Sequence, residues 1–180
     1  MKNLTALLII LTFSVILKGQ YQLKEVNLIP SILVTEDFKF PLGYPDLQGY
    51  HDAKAFGVNN HLGCDLNKDG NGNNDLGDTI KAIGYGFVTI SSEARIVLMH
   101  RTKIEKHPYI LSVYFHCDKL LVDYGELVIP GQPIATVGKK FTTLAHLHFE
   151  IVTDLSIEAG GFYGEDNTGF LDPVKFINKY

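Results

Sequence analysis

The chain has 180 residues and a mass of 20.1 kDa, with 46% hydrophobic residues, which suits a single globular domain and excludes a disordered chain. Its 16 Lys and Arg stand against 20 Asp and Glu, a formal charge of -4, which argues against a basic nucleic-acid binder. Its 2 cysteines exclude a disulfide-rich scaffold and an all-cysteine zinc site.

Lys2 and the uncharged run Leu4 to Leu17 read as the n- and h-regions of an export signal, ending near Lys18-Gly19-Gln20. The run is shorter than the ~20 residues of a spanning helix. We expect residues 1–19 to be a cleaved signal peptide, with an uncleaved anchor as the alternative. Residues 20–50, punctuated by Pro30, Pro41 and Pro45, read as an extended N-terminal leader wrapping the domain; residues 51–180 form the domain itself. An exported chain could oxidise Cys64 and Cys117 if their Cα atoms lie within about 7 Å; two buried thiols are the alternative.

The stretch Asn67 to Asp78 places oxygen side chains at positions 1, 3, 5, 9 and 12 of a calcium-loop spacing, with Gly72 at 6. A final Asp in place of Glu and the absence of flanking helices favour a plain Asn/Gly/Asp loop over a Ca2+ site. From residue 79, short apolar runs alternate with turn signals: Thr79 to Ile83, Gly86 to Ile90, Arg95 to His100, Tyr109 to His116, Gly125 to Ile129, Gln132 to Val137 and Ala145 to Thr153. That spacing predicts a mainly β protein, an antiparallel sheet core with long loops and little helix. One late helix is expected, with Asp172 as cap, Pro173 at its first position and Val174 to Ile177 following.

Metal-competent side chains fall in three places: His61 and Asp65, His116, and His146-Leu-His148-Phe-Glu150. Alternation in a strand points His146 and His148 the same way, about 7 Å apart at ~3.3–3.4 Å per residue. One ion binds one of them easily, and the other stands beside it. Two imidazoles and a carboxylate are three protein ligands, the number in a catalytic zinc site that keeps its fourth position open. Glu150 shares the face of the pair and reads as a support to it. His51, His100 and His107 read as structural or surface residues.

These motifs resemble those of lysostaphin-type peptidoglycan zinc endopeptidases. The resemblance covers roughly residues 58–152 and includes the text Gly125-Glu-Leu-Val-Ile-Pro-Gly131 to Gly138 and the tail Leu171-Asp172-Pro173. It implies an antiparallel sheet with an open groove, one catalytic Zn2+ held by His61, Asp65 and His148, and catalytic roles for His116 and His146. It implies a monomer acting on peptidoglycan peptides, exported to the periplasm, envelope or exterior, with no nucleic-acid partner and no stable membrane insertion once the signal is removed. Two departures stand out. Phe141-Thr-Thr-Leu-Ala145 occupies the place of the family's Ser-Thr-Gly-Pro run at the groove border, and Tyr50 is the nearest candidate for an upstream Tyr. The alternative is a non-catalytic binding or activator protein of the same fold, against which the retention of all five residues counts. A swinging-arm carrier needs a Lys at a hairpin tip, and Lys81 falls inside a predicted strand.

Overall fold

The computed structural model describes residues 29–180 except 71, 158–159 and 161–162. The signal-peptide reading of 1–19 and the start of the leader lie outside the described residues. The strands are β1 (Val34–Thr35), β2 (Tyr50–Lys54), β3 (Cys64–Lys68), β4 (Thr79–Lys81), β5 (Gly86–Ser92), β6 (Arg95–Thr102), β7 (Tyr109–Phe115), β8 (Cys117–Leu120), β9 (Leu127–Val128), β10 (Pro133–Val137), β11 (Leu147–Val152) and β12 (Phe170–Leu171), and helix α1 spans Pro173–Lys179. The fold is mainly β and antiparallel. Among the described residues no helix is long and apolar enough to cross a membrane.

The large sheet runs β2-β3-β11-β7-β6-β5-β9. β12 takes over the edge of β11 beyond β3, and β1 pairs in parallel with the far end of β6. A small sheet, β4-β10-β8, lies beside it. The apolar run ending in His116 becomes the single strand β7, and a strand with no counterpart in the sequence reading, β8, begins directly after it. His116 has φ +65, a backbone turn that ends β7 in the large sheet and starts β8 in the small one. β2 and β3 were not legible as strands, because YHDAK and CDLNK carry no β-branched residues. Tertiary pairing makes them strands.

Alternation sorts the large sheet into two faces. Cys64, Leu66, Ile96, Leu98, Tyr114, Leu147 and Phe149 point to one side, where Phe38, Phe40 and Leu42 of the leader and Phe176 of α1 cover them. Val97, Met99, Leu111, Val113 and Val152 point to the other, over a smaller cluster with Ile29 and Phe87. α1 starts as expected: Pro173 is its first residue, and Asp172 Oδ1 accepts from Lys175 N at 3.0 Å. Cys64 and Cys117 are free, buried thiols, and burial raises both above the ordinary thiol pKa, Cys117 to about 12.

His100 is a core residue. Its Nδ1 donates to Tyr85 O at 2.7 Å, and its Nε2 lies 2.7 Å from Ser112 Oγ, which stands 3.0 Å from the Tyr114 hydroxyl. Burial pushes its pKa down to about 4 from 6.5. The unfolded chain therefore binds a proton here that the folded chain refuses, so stability is lost as pH falls from about 6.5 towards 4. The loss attributable to His100 amounts to about 3 kcal/mol at most. Urea unfolding at pH 7 and pH 4.5 should show this slope in the wild type, and His100→Gln should flatten it. Equal slopes would refute the assignment.

Candidate metal centre

His148 sits on β11 directly opposite Asp65 on β3 and Phe115 on β7. Cross-strand register thus sets two metal-competent side chains together. His61 reaches the same point from the turn Val58–Asn60, where Asn59 and Asn60 take positive φ of 53 and 62. The turn packs flat on β11 because residue 63 is glycine: a Cβ there would lie 2.4 Å from Phe149 O and 2.9 Å from Glu150 Cγ.

Three atoms converge. His61 Nε2 lies 2.9 Å from His148 Nδ1 and 3.1 Å from Asp65 Oδ1, and His148 Nδ1 lies 3.0 Å from that same oxygen. Hydrogen bonds on the far side of each ring fix the tautomers. His61 Nδ1 donates to Lys54 O at 3.1 Å, and His148 Nε2 donates to Glu150 Oε1 at 2.8 Å. Both remaining nitrogens then turn lone pairs towards the carboxylate. Three acceptors facing one point fit a cation, and the triangle is small enough for one ion to meet all three at ~2.0–2.2 Å. Among the described residues this is the group of His, Cys, Asp or Glu that could hold a metal.

The charge preferences agree. Burial would raise Asp65, but the His148 and His61 rings beside it favour its ionised form, since a proton placed between them and the carboxylate stays on a ring nitrogen, and they hold the carboxyl well below the usual range. Burial would lower His148, but Asp65 and Glu150 raise it. The pocket thus favours one positive charge beside Asp65, and a metal ion competes with a proton for that place. Glu150 is fully buried and also accepts from Gly160 N at 2.9 Å. A carboxylate behind a ligating imidazole orients the ring and raises its basicity.

His116 and His146 stand alongside. Their rings meet edge to face at 4.6 Å, and His146 Nε2 lies 3.7 Å from Asp65 Oδ1. One loop orients both: His116 Nδ1 donates to Lys140 O at 2.7 Å and His146 Nδ1 to Leu144 O at 3.0 Å. A carbonyl only accepts, so each lone pair falls on Nε2. Burial pushes both pKa values down, that of His116 to about 4. The five residues singled out from the sequence therefore meet in one place.

Several contributors had no sequence signal. Lys54, Lys140 and Leu144 act through backbone carbonyls, which side-chain patterns do not reveal. The Asn/Gly/Asp loop has a positioning job: Asn67 Nδ2 donates to Ala145 O at 3.1 Å and Asn73 Oδ1 accepts from Ala145 N at 2.7 Å, pinning the residue before His146. Two of its acids have separate partners, Asp69 with His51 and Asp78 with Tyr50 and Lys68, while the carboxylate oxygens of buried Asp75 have no hydrogen-bond partner among the described residues. Tyr50, the candidate upstream Tyr, is thereby committed to Asp78 at 2.6 Å. The Tyr beside the centre is Tyr163, whose ring lies 5.3 Å from that of His61 and whose hydroxyl accepts from Lys54 Nζ at 2.7 Å. A cavity of about 700 Å³ beside α1, lined by Lys103, Ile104, Lys175 and Phe176 among others, has no such metal-competent group; Lys103 and Lys175 are held by Glu36 and Asp172.

Residues 59–158 match the family model described as peptidase family M23. Comparison with curated proteins gave no match. Among solved structures, the catalytic domain of lysostaphin from Staphylococcus simulans is similar at 23% identity and a TM-score of 0.54, over 73% of this chain and 95% of that one. Longer lysostaphin, at 22% identity and the same TM-score, is matched over 74% of this chain and only 51% of its own length. A putative peptidase from Pseudomonas aeruginosa is similar at 22% identity and a TM-score of 0.54, over 84% of this chain and 54% of the other. At these identities the structural likeness speaks for the fold.

Proposed function

The chain belongs to peptidase family M23, and on that premise we propose that it is an exported zinc endopeptidase cleaving peptide bonds in peptidoglycan cross-links or stem peptides. Residues 1–19 would direct export, residues 20–50 would wrap the domain and residues 51–180 would carry the activity. The observation that carries the reading is the convergence of His61 Nε2, His148 Nδ1 and Asp65 Oδ1, with both tautomers fixed to turn lone pairs inward.

His61, Asp65 and His148 would hold the zinc. Bound there, zinc supplies Lewis-acid chemistry, lowering the pKa of water to about 7 and polarising the scissile carbonyl. His146 has its lone pair on Nε2 and is neutral at pH 7, the state a general base requires. It takes the proton from the attacking water and returns it to the leaving amine. His116, in the same tautomer, is also an acceptor at rest. It would donate to the oxyanion only while holding on Nε2 the proton that His146 took from the water and passed to it, and it would hand that proton back to His146 for delivery to the leaving amine. Lys140 O and Leu144 O keep both rings aimed throughout.

Purified peptidoglycan incubated with the zinc-loaded protein should release new amino groups. A chelator should stop release, and added zinc should restore it. Loaded protein that releases none from varied peptidoglycans would overturn the reading.

A further inference from the structure

The loop between β3 and β4 inverts the usual sorting of side chains by water. Its described residues from Asp69 to Gly77 are exposed except Asp75, which is fully buried, while the adjacent Leu76 is 48% exposed. Acidic side chains are almost never fully buried unless paired. Both carboxylate oxygens of Asp75 nonetheless lack a hydrogen-bond partner among the described residues. Burial raises its pKa, while the nearby N–H groups of Asp75 and Lys68 favour the ionised form. Its charge acts on Asp78, Tyr50 and His146, which places it at the base of the loop on the His146 side. Lys68 Nζ is taken up by Asp78 Oδ2 at 2.8 Å, and the Tyr50 hydroxyl donates to that same oxygen at 2.6 Å. Two acids thus share one ammonium. A buried carboxylate persists when it is paired or coordinates a metal.

We propose that Asp75 and Asp78 form the anionic core of a second cation site, for a hard divalent ion of the calcium type, apart from the zinc ligands. The donors at hand are oxygens, which suit calcium rather than zinc. The spacing agrees: Asn67, Asp69, Asp75 and Asp78 stand at positions 1, 3, 9 and 12 of a calcium loop, and Gly72 at position 6 takes φ +75. Composition alone favours a plain turn here, but a plain turn gives no reason to bury a charge and expose a leucine. Three acids do not converge here as His61, Asp65 and His148 do, and calcium does not require it. It takes about 6–8 oxygens, with carbonyls and water among them. The site also bears on His146. Asn67 and Asn73 of the same loop hold both backbone groups of Ala145, so an ion that fixes the loop steadies the residue before His146.

The test is a thermal melt of zinc-loaded protein, first freed of calcium, with and without added calcium chloride. Calcium modules outside the cell bind at about 10⁻⁴–10⁻³ M, so calcium at about 10 mM should raise the melting temperature by about 3 °C or more. Sodium chloride at matched ionic strength should not. Asp75→Asn removes the charge at nearly constant shape and should abolish the rise. His148→Ala, which lacks a zinc ligand, should keep it. Calorimetric titration of the wild type should give one calcium per chain, a readout that needs no variant to fold. Amide exchange at Ala145 should slow when calcium is added. No calcium binding by the wild type, a rise that survives Asp75→Asn, or a rise lost in His148→Ala would overturn the site and leave a buried water as the partner of Asp75. Unchanged exchange at Ala145 would overturn the link to His146. None of these measurements depends on peptidase activity.

Discussion

His148→Ala is expected to lose both the metal and the activity while keeping the fold. The ring supplies one of three converging ligand atoms, and its removal leaves His61 Nε2 and Asp65 Oδ1 facing a gap. Loss of a partner outside the metal shell typically costs 10–100-fold in affinity, so loss of a direct ligand should exceed about 100-fold. Glu150 supplies the scale within the same protein. Glu150→Gln can still accept from His148 Nε2 but loses the charge, and places a donor opposite either that ring or Gly160 N. It should weaken zinc by about 10–100-fold. Zinc content after dialysis against a graded chelator, with thermal melts as a check on folding, measures both. A His148→Ala protein that keeps stoichiometric zinc and full cleavage would remove this ligand set from consideration.

The metal centre was unusually legible because its residues lie in rigid, alternating text. His146, His148 and Glu150 share a face by strand periodicity alone, and β11 delivers that face opposite Asp65. What the sequence withheld was held by backbone. The carbonyls of Lys54, Lys140 and Leu144 choose the tautomers, and no side-chain type announces a carbonyl's direction. β2 and β3 were hidden for a related reason: polar strands near a sheet edge follow their partner strands rather than intrinsic propensity. His116 was ambiguous in isolation, since it stands at the end of an apolar run, between β7 and β8. Its positive φ is what swings the ring beside His146. Tyr163 gave no signal, because only tertiary packing brings its ring to His61.

His146→Ala is expected to keep zinc and lose rate, the opposite dissociation from His148→Ala. Its Nε2 is 3.7 Å from Asp65 Oδ1, beside the triangle rather than part of it. A positioned general base contributes typically 10²–10⁴-fold, so kcat should fall by about that factor, with zinc affinity changed only a few-fold. His116→Ala should behave alike, through loss of the second Nε2. If the two imidazoles pass one proton between them, they act as a unit, and the double variant should lie close to the worse single variant rather than at the product of both. Burial pushes the pKa of both rings down from the ordinary 6.5, that of His116 to about 4, and a nearby dication pushes them further the same way. Neither ring therefore needs to shed a proton before reacting at neutral pH, and cleavage should stay near its plateau as pH falls from 7.5 towards 6. Single-turnover cleavage and zinc titration on the four proteins test the whole scheme. Multiplying single-variant losses would argue for two independent roles, and zinc loss in His146→Ala would move that ring into the ligand set.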